Sequence, residues 1–257
     1  MPVPLDFYLG HDSSIALSVD GIVKMEKISV FINNRNRLST LKCLVEWLCN
    51  KNIEIVILDN DSNYPPLIDY YKSLDCRVVR LGENMGNTAL YKWGGYLDYP
   101  GRYFIYTDSD LLPKEDCPSD LVEYLIYSKI KRDEVNKVGA SLEIEDIPDL
   151  YPFKKELINW ESRFWEKDAG EYYAAEVDTT FAAYDKLNTA GRSHNISNCL
   201  RTKRPYVLRH LPWYLDPQKL SEEEAYYIRS ANAFLPSGRM VGMWTQKHKK
   251  FTAPKLL

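Results

Sequence analysis

The chain has 257 residues, 45% of them apolar and 27% charged, with a formal net charge of -3. This balance describes a self-folding globular chain and excludes a disordered or low-complexity one, and without a basic excess it lacks the footprint of a nucleic-acid binder. No apolar run reaches the roughly 18 residues of a bilayer-spanning helix, and no charged-then-apolar leader opens the sequence. The five cysteines, Cys43, Cys49, Cys76, Cys117 and Cys199, form no C-x-x-C pair. Reduced thiols in the cytoplasm are therefore expected rather than a disulfide framework or a zinc site.

Residues 1–26 hold short apolar pieces around Asp20-Gly21, a dipeptide that favours a hairpin turn, so a hairpin extension is expected there. From Lys27 the rhythm becomes strand then helix. Ile28 to Ile32 is a β-rich run, and Ser39 to Asn50 carries Leu41, Leu44, Val45 and Leu48 on one helical face. Strands follow at Ile53 to Leu58, Cys76 to Leu81 and Tyr103 to Thr107, with helices predicted at Pro65 to Leu74 and Thr88 to Leu97. Leu121 to Lys131 and Glu156 to Trp165 read as helices, separated by an acidic, proline-bearing loop from Glu143 to Pro152. From Ser221, Glu222-Glu223-Glu224 leads an apparent helix, because acidic side chains suit a first turn. This pattern predicts an α/β fold with a mostly parallel sheet flanked by helices, a short N-terminal hairpin and a C-terminal helical extension. The expected division is 1–26, 27–215 and 216–257.

In such sheets ligands bind where the loops leave the carboxyl ends of the strands. The four loops read Asn33-Asn34-Arg35-Asn36-Arg37, Asp59-Asn60-Asp61-Ser62, Gly82-Glu83-Asn84-Met85-Gly86-Asn87 and Asp108-Ser109-Asp110. Two carboxylates two residues apart on a strand-ending turn can face one hard divalent cation, whose remaining positions suit phosphate oxygens. An isolated D-x-D is otherwise an ordinary solvated turn. Its place after the fourth strand gives this one weight.

Over residues 27–215 the chain resembles the GT-A glycosyltransferases, the family 2-like group and its relatives, whose sheet is Rossmann-like. The resemblance implies that Asn33, Asn34 and Arg35 contact a nucleobase and that Asp59 with Asp61 accepts hydrogen bonds from it. It further implies that Asn84 and Gly86, in a turn of N-x-G-x-x-x-A form, lie at the nucleotide, and that Asp108, Ser109 and Asp110 meet the diphosphate and Mn2+ or Mg2+. A UDP-sugar donor and a carbohydrate or other hydroxyl acceptor are the implied partners. Taken as residues alone, Asp59 and Asp61 equally suit a turn cap and Gly86 a positive φ. Arg35 and Arg37 are placed to neutralise phosphate or to stand in solvent.

About 70 residues later, Glu176-Val177-Asp178-Thr179 stands where the resemblance puts a catalytic carboxylate. Asp178 is the first choice and Glu176 the second; alternation also fits both to the polar side of a strand. His210, in Arg209-His210-Leu211-Pro212-Trp213-Tyr214, resembles the further metal ligand of several GT-A families, or is a packing residue, and Trp213 and Tyr214 could stack on sugar. A third ligand of this kind occurs in retaining families too, so inversion and retention both stay open. The rivals are a nucleotidyltransferase, although the first loop has no glycine, and an inactive nucleotide- or carbohydrate-binding module of the same fold. A shorter likeness, Leu9 to Ser14, resembles the opening of nodulation-type carbamoyltransferases, but nothing after it continues that pattern. The basic Lys247-His248-Lys249-Lys250 reads as a solvated tail.

Overall fold

The strands predicted from the apolar runs form at Ile28–Asn34, Ile53–Asp59, Arg77–Arg80 and Tyr103–Asp108, each within two residues of its expected ends. The computed structural model describes residues 7–9, 15–19, 22–49, 51–178, 180–189 and 195–230. β1 (Phe7–Leu9), β2 (Ile15–Val19) and β3 (Ile22–Glu26) make a small antiparallel sheet, three strands where a hairpin was expected, with Val19 opposite Ile22. Asp20-Gly21, residues 10–14 of the carbamoyltransferase-like stretch and the basic run 247–250 lie outside the described residues.

The four predicted strands are β4 (Ile28–Asn34), β5 (Ile53–Asp59), β6 (Arg77–Arg80) and β7 (Tyr103–Asp108). After them come β8 (Leu111–Pro113), β9 (Lys137–Gly139), β10 (Ser141–Leu142), β11 (Asp168–Ala169) and β12 (Tyr172–Ala174), then β13 (Ala182–Asp185), β14 (Cys199–Thr202) and β15 (Val207–His210). The central sheet has the order β11-β12-β14-β9-β13-β7-β4-β5-β6. Among the described residues, β13 and β12 run against the other seven strands. β8, β10 and β15 form a separate three-stranded sheet.

Period-two alternation sorts the strand residues onto two faces. Ile28, Val30 and Ile32 of β4, with Ile55, Ile57 and Ile105, pack against α1 (Ser39–Leu48) through its Leu41, Leu44, Val45 and Leu48. Phe31, Val56, Leu58, Phe104 and Tyr106 face the other way, onto Leu90 and Tyr96. Burial on both faces is why these strands read as continuous apolar runs. α2 (Pro65–Tyr71), α3 (Ala89–Trp93), α4 (Leu121–Lys131), α5 (Lys154–Glu161), α6 (Lys186–Thr189) and α7 (Glu222–Ser230) complete the helices.

The helix expected over 88–97 is broken. Gly94, at φ +71°, takes the left-handed conformation that closes α3 after Trp93, and short 3-10 turns flank it. Near Glu176 and Asp178 the strand pairing starts only at Ala182, so both carboxylates stand in the preceding loop. Among the described residues no helix is long and apolar enough to cross a membrane.

Candidate active site

The sheet order places β4 between β7 and β5, and the chain reverses direction of travel across the sheet there, opening a crevice at the carboxyl ends. A cleft of about 450 Å3 occupies it. Asn33, Arg35, Asn84, Gly86, Asp108, Ser109, Asp110, Glu176, Asp178, His210 and Trp213 all line it, so eleven of the residues singled out from sequence share one wall or the other.

Register explains the first contacts. Asn33 of β4 pairs with Asp108 of β7, and Asn33 Nδ2 donates to Asp108 Oδ1 at 3.3 Å. The Ser109 amide donates to the Asn33 carbonyl at 3.1 Å, so the turn that carries Asp110 is fixed to β4. His210 reaches this turn from a hundred residues away because β15 pairs antiparallel with β8, His210 opposite Leu111. Its Nε2 lies 3.5 Å from Asp110 Oδ1, and its ring meets Trp213 edge to face at 4.7 Å. Burial alone would raise the Asp110 carboxyl, but His210 and then Arg37 outweigh it and hold the group down at about 2. Asp110 is thus an anion throughout the neutral range.

Among the described residues, five buried side-chain atoms of the cleft find no hydrogen-bond partner: Asn33 Oδ1, Arg35 Nε, Arg37 Nε, Thr180 Oγ1 and His210 Nδ1. Buried polar groups in native proteins are nearly always satisfied, so such a concentration points to a polar ligand. Among the described residues no three His, Cys, Asp or Glu side chains gather into a ready-made metal cage. Of the residues expected to hold a cation, His210 meets Asp110 at 3.5 Å and Asp108 stands two residues before Asp110, at the end of β7; carboxylate oxygens are the ligand type a hard divalent cation takes.

The Asn84–Gly86 turn is fixed by side-chain amides. Asn84 Oδ1 accepts from the Gly86 amide at 3.0 Å, Asn60 Oδ1 from the Met85 amide at 2.6 Å, and Asn60 Nδ2 donates to the Gly86 carbonyl at 3.0 Å. Gly86 itself sits at φ +69°. Asn60 therefore belongs to the site although the sequence pointed to its neighbours; its place in the same loop was the available signal.

Asn34, Asp59, Asp61 and Tyr214 are not among the lining residues. Asp59 is fully buried: it pairs with Arg80 Nε at 2.7 Å, accepts from Tyr71 Oη at 2.8 Å and takes the Ser62 amide at 3.3 Å. Asn34 donates to the same Tyr71 hydroxyl at 2.8 Å. Asp61 is exposed at φ +65°, and Tyr214 donates to Asp146.

α7 closes one end of the cleft, which its sequence did not announce. Its Glu224 pairs with Arg37, whose guanidinium lies 3.8 Å over the Tyr227 ring and 3.9 Å from Asp110 Oδ2. Arg35 donates to the Ser230 carbonyl at 2.9 Å and Asn36 to the Ser230 hydroxyl at 3.0 Å. Glu223 accepts from the amides of Leu38 at 2.8 Å and Ser39 at 3.0 Å, capping α1 from outside its own sequence.

Asp178 and Glu176 line the same cleft. Asn87 Nδ2 lies 3.4 Å from Asp178 Oδ1, while Glu176 faces Arg163 at 3.6 Å and its carbonyl accepts from Arg201 at 2.8 Å. Leu142, Leu157, Phe164, Ile196, Pro212 and Leu215 give the cleft an apolar lining that sequence reasoning missed, since its members come from five separate segments.

Residues 29–131 match the family model of glycosyl transferase family 2. No curated protein matches the chain. Similar solved structures include glucosyl-3-phosphoglycerate synthase from Mycobacterium tuberculosis in complex with phosphoglyceric acid, at 15% identity over 63% of this chain and 57% of that one, TM-score 0.41. GalNAc-T7 with UDP, GalNAc and Mn2+ is 16% identical over 72% of this chain and 43% of that one, TM-score 0.46. The 4-diphosphocytidyl-2C-methyl-D-erythritol synthase of Anaerococcus prevotii is 12% identical over 70% and 89%, TM-score 0.40. The chain thus spans little more than half the length of the first of these and less than half of the second.

Proposed function

We propose that this chain, a family 2-like glycosyltransferase of GT-A fold, transfers a sugar from a nucleoside-diphosphate sugar, a UDP-sugar first, to an acceptor hydroxyl. The observation that carries the reading is one cleft lined together by Asp108, Asp110, His210 and Asp178. Asp108, Asp110 and His210 would hold Mn2+ or Mg2+. When bound, such a cation supplies Lewis-acid stabilisation of charge on a departing diphosphate.

The chain's own residues then divide the work. Asn33, Asn84, Gly86 and Ser109 line the nucleotide side directly, Asn34 and Asp59 support it from behind the cleft wall through Tyr71, and Asp61 stands exposed outside it. Arg35 and Arg37 place positive charge beside the diphosphate. The acceptor oxygen forms a bond to the anomeric carbon as that carbon's bond to the β-phosphate oxygen breaks, the electron pair leaving with the nucleoside diphosphate. Asp178 takes the acceptor proton in an inverting course, or steadies positive charge on the donor sugar in a retaining one. Glu176 is the second choice because Arg163 already faces it. Trp213 stands against the transferred sugar or the acceptor, with Tyr214 outside it. A reducing, cytoplasmic setting suits the free thiols of all five cysteines.

The test is a panel of nucleotide sugars assayed for release of nucleoside diphosphate with Mn2+ and with a chelator. Manganese-dependent release that disappears on chelation is expected. Release of pyrophosphate instead would identify a nucleotidyltransferase, and donor binding without any release an inactive module. If Asp110→Ala kept full manganese-dependent turnover, the metal assignment would be wrong.

A further inference from the structure

Besides its polar loops the cleft has an apolar lining. Leu142, Leu157, Phe164, Ile196, Trp213 and Leu215 contribute it. The charges nearby are spent on one another: buried Glu161 pairs with Arg201, and Arg163 faces Glu176 at 3.6 Å. Trp160, exposed enough to stack on a sugar ring, already carries the Arg163 guanidinium over one face at 3.4 Å.

A polyhydroxylated acceptor would lose water from each hydroxyl on entering, and a wall of aliphatic and aromatic carbon returns few hydrogen bonds for them. A charged acceptor would find no uncompensated opposite charge in the paired Glu161, Arg201, Arg163 and Glu176. An apolar body loses nothing on that wall and gains by leaving water. These apolar residues and Asp178 line one and the same cleft, so a molecule lying on them can turn its polar end to Asp178.

We infer that the acceptor carries its hydroxyl on an uncharged, apolar body, alkyl or aryl, which lies against Leu157, Phe164, Ile196, Trp213 and Leu215. The inference rests on the glycosyl-transfer reading and names the substrate class of its second half.

The test compares n-octyl β-glucoside, below its micelle-forming concentration, with methyl β-glucoside, which has the same polar head and no apolar body. Binding to the full chain is followed by tryptophan fluorescence, and UDP binding with Mn2+ is measured in parallel. The octyl compound is expected to bind at least tenfold more tightly. Ile196→Asp, a change at an exposed position, should remove most of that preference and leave UDP binding unchanged. Equal binding of the two glucosides overturns the inference, and so does an octyl preference that survives Ile196→Asp, since the alkyl chain would then lie elsewhere. Absence of UDP binding is a separate result: it removes the donor reading, and with it the meaning of an acceptor wall.

Discussion

The donor side of the cleft hangs on β4, β5 and β7, neighbours in one parallel ladder, and each of its polar loops begins where an apolar strand stops. The proposed acceptor side is gathered from β10, α5, the 3-10 turn after it, the loop before β14 and the segment after β15. β10 and the segment after β15 meet through the small sheet, and charge ties in the rest: Glu161 with Arg201, and Glu143 with Lys114 and Arg204. A regular ladder positions a site through shared backbone bonds, whereas an assembly of distant segments depends on a few side-chain pairs. The two sides should therefore fail differently.

The largest effect falls on the donor side. Asp110→Ala should lower manganese-dependent release of nucleoside diphosphate by about 10^2- to 10^3-fold, more than the stability lost with its His210 and Arg37 pairs accounts for, because the lost term acts on developing charge. A loss of stability equal to the loss of rate would erase the contrast. Next comes Glu161→Gln, which leaves the Arg201 guanidinium buried without its counter-charge. A cost of about 3 kcal/mol in denaturant unfolding is expected, with UDP affinity unchanged in the protein that remains folded.

Glu143→Gln sharpens the same point through pH. Arg204 first, then Lys114, hold the Glu143 carboxyl far below its ordinary 4.5 against the upward push of burial. A carboxyl depressed in the folded state contributes stability that is complete above its ordinary value and is lost as pH falls below it. The variant should therefore be less stable by about 2 kcal/mol at neutral pH, and the gap should close as the pH is lowered through 4.5 and beyond. A gap independent of pH would mean that the cluster contributes by shape, not charge. The smallest effect is expected at Glu223→Ala, which uncaps α1 at a cost of about 1 kcal/mol; calorimetry would show it as a modest fall in melting temperature, with octyl glucoside binding unaltered.

That the loops proposed for the donor share one cleft was legible because their signals are local. A strand ending in Asp108-Ser109-Asp110 can be read from a dozen residues, and the same holds for Asn33 and the Asn84 turn. Asp59 shows the limit of that reading: as a residue after the second strand it looked like a ligand contact, yet Arg80, Tyr71 and the Ser62 amide occupy its carboxylate inside the protein. Gly94 shows another, since a helical periodicity carried past it and only the left-handed backbone there ended the helix.

The sequence by itself determined the alternation of strand and helix, the apolar character of β4, β5 and β7, and the polar loops that follow them, because each depends on neighbours in the chain. Tertiary structure alone decided that β8 and β15 pair so as to carry His210 to Asp110, that Glu223 and Glu224 of α7 return to the first loop, and that five scattered segments make one apolar wall. Those contacts join residues up to nearly two hundred positions apart. They arise from packing and charge pairing in the folded chain, which no local pattern encodes.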